Sequence, residues 1–130
     1  MKQLMRNSSI FRLIVKFVII VCFSTPVFAG GADVVDGEIT KDSNGRYTVI
    51  ATIKHNDEGM DHFANHLQVL TPDGKVIGAM YFVEPKVHEQ PFVTIVQSVK
   101  VPSGVRELRI RAHDKVHGYT GKEFKLKVPE

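Results

Sequence analysis

From Gly31 onward the chain reads as short runs of alternating apolar and polar residues, each closed by a turn. Tyr47, Val49, Ala51 and Ile53 alternate with Arg46, Thr48, Thr52 and Lys54, the two-residue period of a strand with one buried face. Leu108, Ile110 and Ala112 alternate with Arg109 and Arg111 in the same way, as do Phe124, Leu126 and Val128 with Lys125 and Lys127. The pattern predicts further strands at Phe63–Leu70, Val76–Val83 and Phe92–Val101, with a first one near Val34–Thr40. No segment of this region carries a helical period. About seven strands with turns roughly every 8–12 residues predict an all-β, immunoglobulin-like antiparallel sandwich.

The turns fall into two classes. Asp42–Gly45, Thr71–Gly74 and Val101–Gly104 are tight, with Gly or Pro where unusual backbone angles are required. Asn56–Asp61, Glu84–Gln90 and Asp114–Thr120 are longer and rich in His, Asp and Glu. Successive antiparallel strands send turns alternately to the two ends of a sandwich. The three tight turns therefore share one end and the three polar loops the other.

That alternation gathers histidines. The chain has 6, and His55, His62, His88, His113 and His117 sit at or beside the three loops. His55 follows Ile53 on core-facing parity, which points it toward the mouth of the sandwich. Neutral imidazole binds Zn, Cu or Fe at ordinary pH, and loops on a rigid scaffold bring such ligands together from distant parts of a chain. These five are the candidate metal ligands, with Asp61 and Asp114 as carboxylates that orient imidazoles from behind. His66 lies on the face opposite Leu67 and Val69 and is peripheral.

The amino-terminal segment changes the charge picture. Lys2, Arg6, Arg12 and Lys16 precede an apolar stretch, Phe17–Phe23, and a cleavage-like Val27-Phe28-Ala29. Residues 1–29 read as a cleavable signal peptide, and 30–130 as a single β-sandwich domain exported to the periplasm or beyond. The apolar stretch falls short of the roughly 20 residues a spanning helix needs, so no stable membrane anchor remains after cleavage. Cys22, the sole cysteine, lacks small residues before it and belongs to the removed peptide. Four of the 17 basic residues lie in the leader, which leaves 13 against 14 acidic ones, a net charge near −1. Such a surface gives nucleic acid no electrostatic motive to bind.

Other readings stay open beside the metal site. Clustered histidines that protonate together near pH 6 make a pH sensor. Asp57, Glu58, Asp61 and Asp114 offer oxygen donors for calcium. The main alternative is a periplasmic protein–protein interaction module without metal, whose polar loops meet another exported protein. Ser98 and Ser103 lack a nucleophile motif, and no catalytic residue is assigned. Met80 reads as a core strand residue, whereas Met60 stands out as an apolar residue in a polar loop.

The loop sequences Asn56-Asp-Glu-Gly-Met-Asp-His62-Phe, Val87-His-Glu-Gln-Pro-Phe92 and Arg111-Ala-His-Asp-Lys-Val-His-Gly-Tyr119 resemble a family of small secreted bacterial proteins without an established function. More distantly, the order of features resembles the iron domain of superoxide reductases and desulfoferrodoxins, an immunoglobulin-like sandwich. By position, that resemblance implies ligand roles for His55, for His62 within Asp61-His62, and for the His117-Gly118 end of the last loop. The cysteine ligand of that family has no counterpart, and His113 is the nearest residue to its place. Without a thiolate to push electron density onto iron, superoxide reduction is not carried over. What the resemblance leaves is one transition metal, Cu, Zn or Fe, held by histidines.

Overall fold

The computed structural model describes residues 30–130; the leader read over residues 1–29 lies outside them. Seven strands follow one another: β1 (Asp33–Lys41), β2 (Tyr47–Lys54), β3 (Ala64–Leu70), β4 (Val76–Tyr81), β5 (Phe92–Val99), β6 (Glu107–Asp114) and β7 (Phe124–Lys127). They form two antiparallel sheets, β1-β2-β5 and β4-β3-β6-β7. No helix occurs among the described residues.

The period-two pattern explains what fills the space between the sheets. Tyr47, Val49, Ala51 and Ile53 of β2 face inward, against Leu67 and Val69 of β3 and Leu108, Ile110 and Ala112 of β6. Each fully buried Val, Leu or Ile contributes about 1.5–3 kcal/mol of transfer free energy. The buried apolar residues run from Ala32 to Leu126, so this stretch encloses its own core. Met80 packs against that core, whereas Met60 is 58% exposed.

Two strands end earlier than their apolar pattern predicts. Beyond Tyr81 the backbone leaves its partner after Phe82 N–H donates to Asn65 O, and Val83 is left exposed. At β5 the chain passes through a left-handed residue, Ser98 (φ 57°), where pairing with β2 shifts register. Such a bulge twists a strand and terminates its ladder.

The two ends of the sandwich differ as the turn classes predict. Asp57 Oδ2 accepts from Lys86 N–H, His55 N–H donates to Gln90 Oε1, and Lys115 N–H donates to Phe63 O. These bonds join the β2–β3, β4–β5 and β6–β7 connections into one rim. Gly121, in the last of them, packs so closely on the start of the domain that a Cβ there would overlap the Ala32 carbonyl.

Candidate metal centre

Two core columns run out into this rim and end in polar residues. His55 continues the inward parity of Val49, Ala51 and Ile53, and Asp114 continues that of Leu108, Ile110 and Ala112. Both are buried, at 4% and 0% exposure, and His55 Nε2 lies 2.6 Å from Asp114 Oδ2. His62 arrives from the β2–β3 loop, where Glu58 N–H donates to His62 O and His62 N–H to Gly59 O. This small closed turn carries His62 Nε2 to 2.8 Å from the same Asp114 oxygen. The other oxygen, Oδ1, accepts from the N–H groups of Val116 and His117, which fixes the carboxylate's orientation.

Behind His55 stands a second buried carboxylate. His55 Nδ1 donates to Asp57 Oδ1 at 2.5 Å. Asp57 also accepts from Ala64 N–H and Lys86 N–H, so it is held from three sides. A carboxylate on one ring nitrogen sets the direction in which the other points, as in many metal-binding histidines.

The proton count follows from the partners. Both nitrogens of His55 face oxygen acceptors, Asp57 on one side and Asp114 with Gly30 O on the other. Only the imidazolium donates from both nitrogens. Burial pulls the His55 pKa down, but the bonds to Asp57 and Asp114 outweigh it and the net direction is up. His62 is raised chiefly by its bond to Asp114, against a smaller loss from burial and with Glu58 assisting. Burial pushes Asp114 up, yet the donors Val116 N–H, His62, His117 N–H and His55 together hold it below the ordinary value.

A divalent ion bound by the same donor atoms would take the place of those shared protons. One ligand atom from each of His55, His62 and Asp114 lies within 4.8 Å of the other two. Zn–N and Zn–O bonds of about 2.0–2.2 Å would set tetrahedral donors about 3.3 Å apart, so the two contacts to Asp114, at 2.6 and 2.8 Å, would open by roughly half an ångström to admit an ion. The buried His/His/Asp cluster is therefore able to hold a metal ion.

His117 sits at the edge of this group. Its ring lies 5.2 Å from that of His62 (centroid to centroid), and His62 lies 5.1 Å from His55. His117, His62, His55, Glu58, Asn56, Gly30 and Gly31 line a cleft of about 340 Å³. Its lining runs from the exposed His117 ring through the half-buried His62 to the buried His55.

The remaining candidates lie elsewhere. His88 is exposed in the β4–β5 connection, lining a shallow hollow with Glu84–Glu89 and none of the cleft residues. His113 has the outward parity of Arg109 and Arg111, so it points away from the core. There it stacks on His66 at 4.2 Å, with His113 Nδ1 donating to Asn65 Oδ1 and His66 bonded to Tyr119. Burial, His113 and Arg111 together lower the His66 pKa. Asp61 is exposed; the carboxylates that orient the imidazoles are Asp57 and Glu58. Asp114 is at the centre of the group and not behind it.

Sequence reasoning missed two participants. Asp57 was visible only as a calcium-type oxygen donor, although a carboxylate two residues beyond a core-facing histidine is well placed to orient it. Gly30 left one trace, a Gly-Gly pair at the start of the domain.

No family model matches the chain, and no solved structure does. A protein of Halomicrobium mukohataei described as "Putative lipoprotein" is 30% identical over 90 residues, which is 69% of this chain and 44% of that protein. The chain thus spans less than half the length of this relative.

Proposed function

We propose that this is an exported domain that binds one transition-metal ion through His55 Nε2, His62 Nε2 and the Asp114 carboxylate, with His117 closing the site from the solvent side. The observation that carries the reading is a single buried carboxylate oxygen lying 2.6 and 2.8 Å from two imidazole nitrogens. Two imidazoles and one carboxylate form the donor set of open zinc sites and of non-haem Fe(II) sites, and Cu(II) follows from its higher intrinsic affinity. Export is supported by the leader-like residues 1–29 and by the similarity to a protein described as a lipoprotein. The mature chain then begins near Gly30.

The protein, purified without a histidine tag, is exposed to Zn(II), Cu(II) or Fe(II), dialysed, and assayed for bound metal and melting temperature. One ion per chain is expected, with His62→Ala losing most of it while the fold persists. No metal above background in the unaltered protein rejects the reading. An interaction module is the second reading, favoured by an outward row of Tyr81, His66, His113 and Tyr119 rings with Tyr81 70% exposed. A metal-free protein that pulls down an exported partner through Tyr81 would support it instead.

A further inference from the structure

The first described residue, Gly30, is not a loose end. Its carbonyl oxygen lies 3.1 Å from His55 Nε2, inside the donor cluster. Its backbone has φ 144°, a region that favours glycine, and a Cβ on it would stand 2.6 Å from His117 Nε2. Gly31 presses equally close to the backbone of Gly121, 2.6 Å from Gly121 N to the position of a Cβ. Two hydrogen bonds then stitch the following residues to the same loop: Val34 N–H to Lys122 O, and Lys122 N–H to Asp33 Oδ1. A junction whose only purpose is to be cut has no need of such fixation.

The cleavage-like Val27-Phe28-Ala29 ends immediately before this residue. We propose that cutting the chain after Ala29 completes the metal centre, because the new α-amine and the carbonyl oxygen of Gly30 become ligands beside His55, His62 and Asp114. In that step an export peptidase adds water across the Ala29–Gly30 amide, leaving a carboxylate on Ala29 and an amine on Gly30. Before the cut, the Gly30 nitrogen is an amide whose lone pair is delocalised into its carbonyl, a poor donor. Afterwards it is an α-amine, whose lone pair is localised on nitrogen and free to bind an ion. Amine nitrogen and carbonyl oxygen of one residue close a five-membered ring with an ion, so with the oxygen already in the cluster the freed nitrogen needs only rotation about the Gly30 Cα–C bond to join it. The site thereby holds metal only weakly, through His55, His62 and Asp114, until the leader is removed. The inference rests on the metal-binding reading above.

Three forms of the chain separate the two. One is released by a protease to begin at Gly30, one begins at Ser24 and so keeps Gly30 in an amide, and one begins at Gly30 with its amine acetylated. Zn(II) affinity is measured against a chromophoric chelator, and Cu(II) spectra are recorded with and without 15N in Gly30. The free-amine form should bind at least 10-fold more tightly than the other two, and 15N in Gly30 should alter its Cu(II) hyperfine pattern. The blocked forms should still bind, more weakly, through His55, His62 and Asp114, with unchanged metal-free melting temperatures. Equal affinity in all three, or a spectrum indifferent to 15N, overturns this inference and leaves the proposed function standing. Absence of binding in all three overturns both. The intact mass of exported protein should correspond to a chain starting at Gly30; a start elsewhere, or a lipid on Cys22, also overturns it.

Discussion

His55 and Asp114 extend core columns from opposite sheets and meet at 2.6 Å, so the hydrophobic interior of this sandwich ends in a buried ion pair. The pair is not isolated, since Asp57 holds the far side of the same imidazole. Breaking such a group by deleting one partner costs far more than the pair itself is worth, because the others stay buried without compensation. His55→Ala should therefore destabilise the metal-free domain by about 3–5 kcal/mol. His117→Ala, at an exposed ring, should stay within about 0.5 kcal/mol. Urea unfolding of both variants checks this, and equal midpoints would show that the buried pair contributes little.

The metal-free protein should lose stability as pH rises above 6.5. His55 and His62 have folded pKa values above the ordinary histidine value of 6.5, so their contribution is complete below 6.5 and disappears as pH climbs through the raised values. Asp114 is shifted the other way; its contribution is present above 3.8 and is lost as pH falls through the lowered value. His66, lowered, adds stability toward higher pH but only below 6.5. Saturation with Zn(II) should reverse the slope above 6.5, because binding releases the same protons. Thermal melts from pH 5 to 9 with and without zinc measure both trends. A metal-free melting temperature that rises with pH above 6.5 would contradict the assignment of His55 as imidazolium.

Asp57→Asn keeps the size of the side chain and removes the charge that orients His55. Loss of such an orienting partner commonly weakens metal binding about 10–100-fold. The same range is expected here by competition titration, with Asp61→Asn unchanged because Asp61 is exposed. Parallel losses in both variants would mean that overall negative charge, and not the His55–Asp57 bond, sets affinity.

Gly121→Ala tests the seam between the start of the domain and the β6–β7 connection. Its Cβ would overlap the Ala32 backbone, which is not a flexible side-chain end and must move. The variant should be destabilised by about 1–3 kcal/mol, the usual cost of overpacking a tight contact. Gly45→Ala, with open space around it, loses only what its φ of 77° demands. A melting temperature unchanged in Gly121→Ala would show that the seam is not closed in solution.

Much of this architecture was legible because burial leaves a period. The inward column of β2 extends through Ile53 to His55 without a break, and the sorting of tight turns from polar loops placed the rim. The same parity separates Asp114 from His113: Leu108, Ile110 and Ala112 point inward, so Asp114 does and His113 cannot. Reading residue type before parity favoured the imidazole over the carboxylate. What parity does not encode is where irregular backbone goes. His88 sits in a connection whose path depends on how β4, paired with β3, crosses to the other sheet. Gly30 meets His55 across a separation of 25 residues, through close packing that leaves no periodic mark.

Strand β7 starts at the polar rim and runs away from it, so Pro129 and Glu130 finish beside Lys41, Tyr47 and Pro102–Arg106 at the far pole. Among the described residues, Gly30 thus lies at one pole and Glu130 at the other, about one strand length apart. A tag or tether at Glu130 leaves the cleft facing outward, like a lamp on its post. The same addition at Gly30 stands in the doorway, and a run of tag histidines there would compete with the protein's own. Domains of this kind joined in series would bring every cleft against the tail of the unit before it, and open approach would belong to the first alone.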